Sequence, residues 1–290
     1  QDAVVLAGTG VVALGASFVW PTAKPQPRWL RRLGLVAVSL VVLQGVLGGL
    51  RVTLFKDELG IVHATLAQLF FVLTGAIALF TSRWWQVAQG SSVAAPRQSA
   101  ANSAQQDQDG GALPSRRYDC LAWLFGGVTL LVLIQLILGA TMRHQHAGLA
   151  IRDFPLAYGK LWPATDAGSV AAYNRARLET KALNDITANH IRLHMAHRLM
   201  AVAVCGAIGA SWRMTRRKLD RGHPLRRLSG GWFALVAVQC GLGAWTVWSN
   251  KAADITTLHV VTGALTLLTG AMLTLVSFRC LSPFKSAEAR

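Results

Sequence analysis

The chain has 290 residues, 52% of them hydrophobic and only 14% charged, with a formal net charge of +16. Its apolar residues come in runs of about twenty, the length that crosses a bilayer as helix, which excludes an ordinary soluble domain and predicts an integral membrane protein. The basic surplus sits in short loops between these runs, the positive-inside pattern, so no nucleic-acid partner is needed to explain it.

In chain order, spans are predicted over 3–20, 33–53, 60–82, 118–142, 190–213, 229–249 and 256–281. The loop 21–32 carries Lys24, Arg28, Arg31 and Arg32. The loop after Trp212 carries Arg213, Arg216, Arg217, Lys218, Arg221, Arg226 and Arg227 against Asp220. Both are expected to face the cytoplasm. The remaining connections are nearly balanced in charge and belong outside, which makes this a multi-pass protein of the inner (cytoplasmic) membrane with a cytoplasmic C-terminus. Residues 86–117 are polar, rich in Ser, Ala, Gln and Gly, and too poor in apolar surface to fold. They read as a flexible cytoplasmic linker between an N-terminal part, 1–85, and a C-terminal part, 118–290.

Cys120, Cys205, Cys240 and Cys280 lie in or at the edge of spans with no CxxC spacing, so no disulfide is expected. Where the fourth span stops, the stretch "RHQHAGLAIRDFPLAYGKLWP" (143–163) reads as a shaped cover on the outer side.

The two parts are related. "QGVLGG" from Gln44, "QLILGA" from Gln135 and "QCGLGA" from Gln239 repeat one pattern at the outer ends of three spans. "VHATLAQ" follows the first copy and "LHVVTGAL" the third, at nearly the same interval. Glycines there permit close helix approach in lipid, whereas a buried Gln must find a partner. Matching "GAS" at Gly15 with "GAS" at Gly209 sets His197 opposite Ala3, so a further helix, its outer loop and another histidine are expected ahead of residue 1.

Seven of the eight histidines, His63, His144, His146, His190, His194, His197 and His259, fall near the outer ends of spans; His223 lies in the basic loop. An ionisable residue within a span is costly and marks function. His197 and His259 lie at similar depth on separate helices, the arrangement that gives a haem iron two axial imidazoles, although an interhelical hydrogen bond remains the competing reading. Zinc lacks a third and fourth ligand at that level. Arg51, Arg143, Arg192 and Arg198 stand at the outer ends, available to haem propionates or to lipid headgroups.

The order "GATMRHQHAGLAIRDFPLAYG", "HMAHRLMA", "LHVVTGAL", with "VHATLAQ" in the first part, resembles the haem A synthase (CtaA-like) family. That resemblance implies an all-α integral membrane protein of two pseudo-symmetric four-helix bundles, the first lacking its N-terminal helix in this chain. It implies oxidation of a methyl group of haem O to the formyl of haem A for terminal oxidase biogenesis. His197 and His259 match the pair that holds haem b, and His63 matches one of the pair at the bundle where haem O, the substrate, is oxidised. Implied partners are a membrane electron donor, with haem O synthase or oxidase assembly factors as neighbours. Many members carry cysteines on either side of "DWPL" in the outer loop. Ile151 and Ala157 occupy those positions here, so no loop disulfide forms. Two other classes stay open: a b-type cytochrome that passes electrons from quinol without modifying haem, and a transporter, which the non-inverted repeat disfavours.

Overall fold

A computed structural model describes residues 27–85, 114–178 and 185–281. The span expected over 3–20 and most of the linker fall outside them. The described residues form seven α-helices: α1 (Arg28–Leu54), α2 (Asp57–Thr81), α3 (Pro114–His144), α4 (Ala167–Leu178), α5 (Ala188–Lys218), α6 (Pro224–Trp248) and α7 (Ala253–Leu281). All but the short α4 are long and apolar enough to cross a membrane. Each of the six overlaps its predicted span, and α3 and α5 run several residues further at their ends. This is an all-helical multi-pass membrane protein. Among the described residues there is no strand beyond an isolated bridge between Ala157 and Lys160.

Helix ends follow local chemistry. Phe55 turns the chain out of α1 in the left-handed conformation, at φ 50°. Thr187 caps α5: its hydroxyl accepts from His190 N at 3.3 Å, and His190 Nδ1 accepts from Thr187 N at 3.4 Å. Pro224 starts α6, where a missing N–H costs nothing, and His223 Nδ1 accepts from Leu225 N. Within the spans, hydroxyls bond to carbonyls one turn back, as Thr129, Ser211, Thr215 and Thr266 do, so these four carry no unmet demand into lipid.

In the C-terminal part four helices close a ring: α3 packs on α5, α5 on α6, α6 on α7, and α7 on α3. Thus α5 and α7 stand on one diagonal, α3 and α6 on the other. Helix α1 packs on α2, which leans on both α3 and α7. Small residues mediate that contact. Gly75 of α2 receives Leu268, and Gly60 receives the His144 imidazole, each where a Cβ would collide.

The interior of the ring is filled at the end remote from the histidines. Leu121, Phe125, Val128 and Val132 of α3, Val204 and Ile208 of α5, Leu225, Trp232 and Val236 of α6, and Leu267, Leu273 and Val276 of α7 form one buried cluster. Trp232 is completely buried, donates Nε1–H to Thr266 O at 2.8 Å, and fits because Gly270 offers no Cβ. The outward faces keep large apolar residues exposed, Trp123 and Val202 at about 70% among them, as a lipid-facing surface should.

Candidate functional site

Above this cluster the apolar filling thins: Leu133, Leu136 and Met200 still pack against it but are only partly buried. Among the described residues, no apolar side chain is fully buried over 133–144 of α3, 196–203 of α5, 237–243 of α6 or 256–266 of α7. At the helical rise these stretches are roughly 10 to 18 Å deep. The polar side chains at this level include His197 and Gln135, and His259 and Gln239, supplied by the two diagonals.

One unit recurs three times at this level. Gln135 Nε2–H donates to the backbone carbonyl of His197 at 3.1 Å, and Gln44 Nε2–H donates to that of His63 at 3.2 Å. Four residues after each Gln, on the same helix face, comes a glycine against which the histidine ring lies. A Cβ built on Gly48 would stand 3.4 Å from His63 Cε1, on Gly139 3.2 Å from His197 Cε1, and on Gly243 3.1 Å from His259 Cε1. In the third copy the Gln239 amide rests against Gly263, one turn beyond His259, so each helix of that pair yields space to the other's polar side chain.

The units share an electrostatic deficit. His63, His197 and His259 each bury Nδ1 without a hydrogen-bond partner, and Gln44, Gln135 and Gln239 each bury Oε1 in the same state. Buried polar atoms left unpaired typically cost about 1–3 kcal/mol each. Six in one layer, in three repeats, mark function in preference to packing. The competing reading of a plain interhelical contact accounts only for the Gln amide nitrogens.

A cover closes the outer end of the ring. After α3 the chain makes a short 3-10 turn, Ala147–Leu149, then folds on Asp153, whose carboxylate accepts from Tyr158 N at 2.8 Å and Gly159 N at 2.9 Å. Gly159 takes φ +73°, which suits a residue without Cβ. Ile151 and Ala157 are both buried, in one apolar cluster with Ala150, Ile186, Ile191 and Met195, so hydrophobic contact holds the loop together. Tyr158 stacks on Tyr173 of α4 at 3.6 Å.

The cover is also tied down. Arg198, next to His197, donates Nη1–H to Leu156 O at 2.9 Å and Nη2–H to Asp153 O at 2.6 Å, with its guanidinium 5.4 Å from the Phe154 ring centroid. Ile151 N–H donates to Nδ1 of the buried His194 at 3.4 Å, and Trp248 Nε1–H to Phe154 O at 3.3 Å. Arg198, expected from the sequence at haem propionates or lipid headgroups, here has both terminal nitrogens on loop carbonyls. His190 caps α5 and His194 anchors the loop. Arg143 is exposed at the end of α3, and Arg51 is exposed at the end of α1. The glycines' contact with the rings was missed, although the fixed Gln-to-Gly spacing signalled it.

The family model of cytochrome oxidase assembly proteins (COX15-CtaA) matches residues 5–271. The chain belongs to that family. The resemblance to haem A synthases is thereby upheld, and the match spans both halves, including all three Gln–Gly–His units. No curated protein matches the chain. For a COX15-CtaA protein the three units are the part of the structure whose chemistry packing leaves unexplained.

Proposed function

We propose that this protein is a haem A synthase: a membrane oxidoreductase that converts a methyl group of haem O to the formyl of haem A, using haem b as resident cofactor. The observation that carries this reading is the His63 unit. Its Gln44 contact repeats that of His197, and its Gly48 contact repeats those of both His197 and His259, which supports a second ligand level in the first half of the chain. A pure electron carrier with one haem has no use for it.

The residues fit a haem. Among the described residues no three His, Cys, Asp or Glu side chains converge to bind an ion by themselves. A haem would bring most of its iron's ligands with it and would need only imidazoles from the protein to hold it. His197 and His259, on diagonal helices at a level with no fully buried apolar side chain, are suited to hold it. When bound there, haem b supplies a one-electron redox centre, while His63 serves the substrate haem O.

This chain's own part is to bind, orient and exclude water. A metal-ligating imidazole carries its proton on the nitrogen that faces away from the metal, and that proton needs an acceptor. Gln44, Gln135 and Gln239 each carry an unpartnered buried Oε1, an atom suited to that role. The glycines let the rings recede into the neighbouring helices, and the loop tied by Arg198 and Trp248 shields the outer end. Electrons come from a membrane donor, and the positive-inside pattern of the basic connections supports a cytoplasmic position for the opposite end.

The deciding experiment is extraction of total haem from cells that supply haem O and carry the full-length protein. Oxidised haem should appear with the wild type and vanish with His63→Ala, while the b-type spectrum persists. Retained haem b with no oxidised product in the wild type would establish the b-type cytochrome instead.

A further inference from the structure

At the end of the ring remote from the histidines, a groove of about 520 Å³ lies between the last turns of α5 and the first turns of α6. Its wall is flat and aromatic: Trp212 and Phe233 stack with centroids 4.9 Å apart and planes 4° from parallel. Glycines make this possible. A Cβ on Gly209 would stand 3.2 Å from Phe233, and one on Gly230 3.4 Å from Trp212 Nε1.

Its rim is cationic. Arg213, Arg216 and Arg217 from α5 and Arg226 from α6 line the same groove. Arg216 is held over the Trp212 ring at 5.0 Å. Arg226 is fixed too, donating Nη1–H to Leu219 O at 3.2 Å and to Arg216 O at 3.4 Å, which satisfies carbonyls at the C-terminus of α5. Asp220, the sole acidic residue between 188 and 250, is exposed and does not line the groove. Four guanidiniums around one cleft repel one another unless an anion sits among them.

Simple snorkelling explains arginines that point separately to headgroups. It does not explain convergence from two helices onto a stacked aromatic wall. We propose that this groove is a binding site for an anionic phospholipid, its phosphate among Arg213, Arg216, Arg217 and Arg226 and its acyl chain along Trp212 and Phe233. A lipid is favoured over a free anion or an acidic peptide because the wall continues from the charged rim into the apolar, membrane-spanning stretch of both helices. The site is independent of the haem reading and survives if that reading fails.

The test is native mass spectrometry of the delipidated full chain titrated with phosphatidylglycerol or phosphatidylcholine. Wild type should retain phosphatidylglycerol preferentially. With about fivefold in affinity per arginine near a charged headgroup, Arg213→Gln with Arg217→Gln should weaken it roughly 25-fold and leave phosphatidylcholine unchanged. Both side chains are exposed, so folding is not at stake. Arg31→Gln with Arg32→Gln removes the same charge elsewhere and should have little effect. Equal retention of the two lipids by wild type, equal loss from both double variants, or displacement by millimolar inorganic phosphate would each overturn the assignment. So would displacement by an acidic peptide.

Discussion

The His259 ring lies against Gly243 so closely that a Cβ on that glycine would stand 3.1 Å from its Cε1. Gly241, one residue pair earlier on the same helix, has nothing within 4 Å of its own added Cβ. The two glycines therefore form a matched test. Overpacking costs about 1–3 kcal/mol. Gly243→Ala should displace the imidazole and lower haem occupancy about tenfold or more, read from the Soret band of purified protein. Gly241→Ala should leave it unchanged.

Gln135 should act on the ligand without touching the iron. Its amide nitrogen holds the carbonyl of His197 and stands 3.4 Å from Nε2 of the ring, while Oε1 is left without a partner. Interhelical hydrogen bonds in membranes average about 0.6 kcal/mol, so Gln135→Leu should lower thermal stability only slightly. Its larger effect should be on the midpoint potential and the low-spin EPR signature of the haem, with partial recovery in Gln135→Glu. A stability loss with both spectroscopic readouts unmoved would show packing alone.

The cover depends on apolar contact at Ile151, which is fully buried. Ile→Ala at such a site costs about 2–5 kcal/mol where the surroundings cannot collapse. Ile151→Ala should raise amide exchange over 147–163 while the helical core stays protected. Exchange unchanged in the loop would mean that the Asp153 turn suffices to hold it.

Arg198 spans from α5 to two loop carbonyls, a planar fork geometry that a lysine cannot reproduce. Arg198→Lys should therefore loosen the same loop and reduce product formation more than haem b content. An equal fall in both would make Arg198 a direct contact of the cofactor instead.

The six described spans and the threefold Gln motif were legible in the sequence, because bilayer length and internal repetition leave direct patterns. The diagonal placement of α5 and α7 was not, since periodicity fixes a helix and not its neighbour. Nor was the work of Arg198, His190 and His194. A charged or imidazole side chain near a membrane surface reads alike whether it meets a ligand, a lipid or a backbone carbonyl, and only the loop's path decides. His144 shows the same limit: its ring packs on Gly60 of the other half, a contact with no signature in spacing.

The Gln–Gly–His unit is complete within one pair of packed helices. Its two helices are joined by Phe55 and Lys56 alone in the first copy and by the whole of 145–187 in the second, yet the ring-to-glycine approach is nearly the same. The linking segment is thus free to lengthen, acquire α4 and grow a cover without disturbing the ligand. Such a hairpin behaves as a portable cassette, able to be copied along a chain and given new surroundings at its open end while its ring-to-glycine geometry is inherited intact.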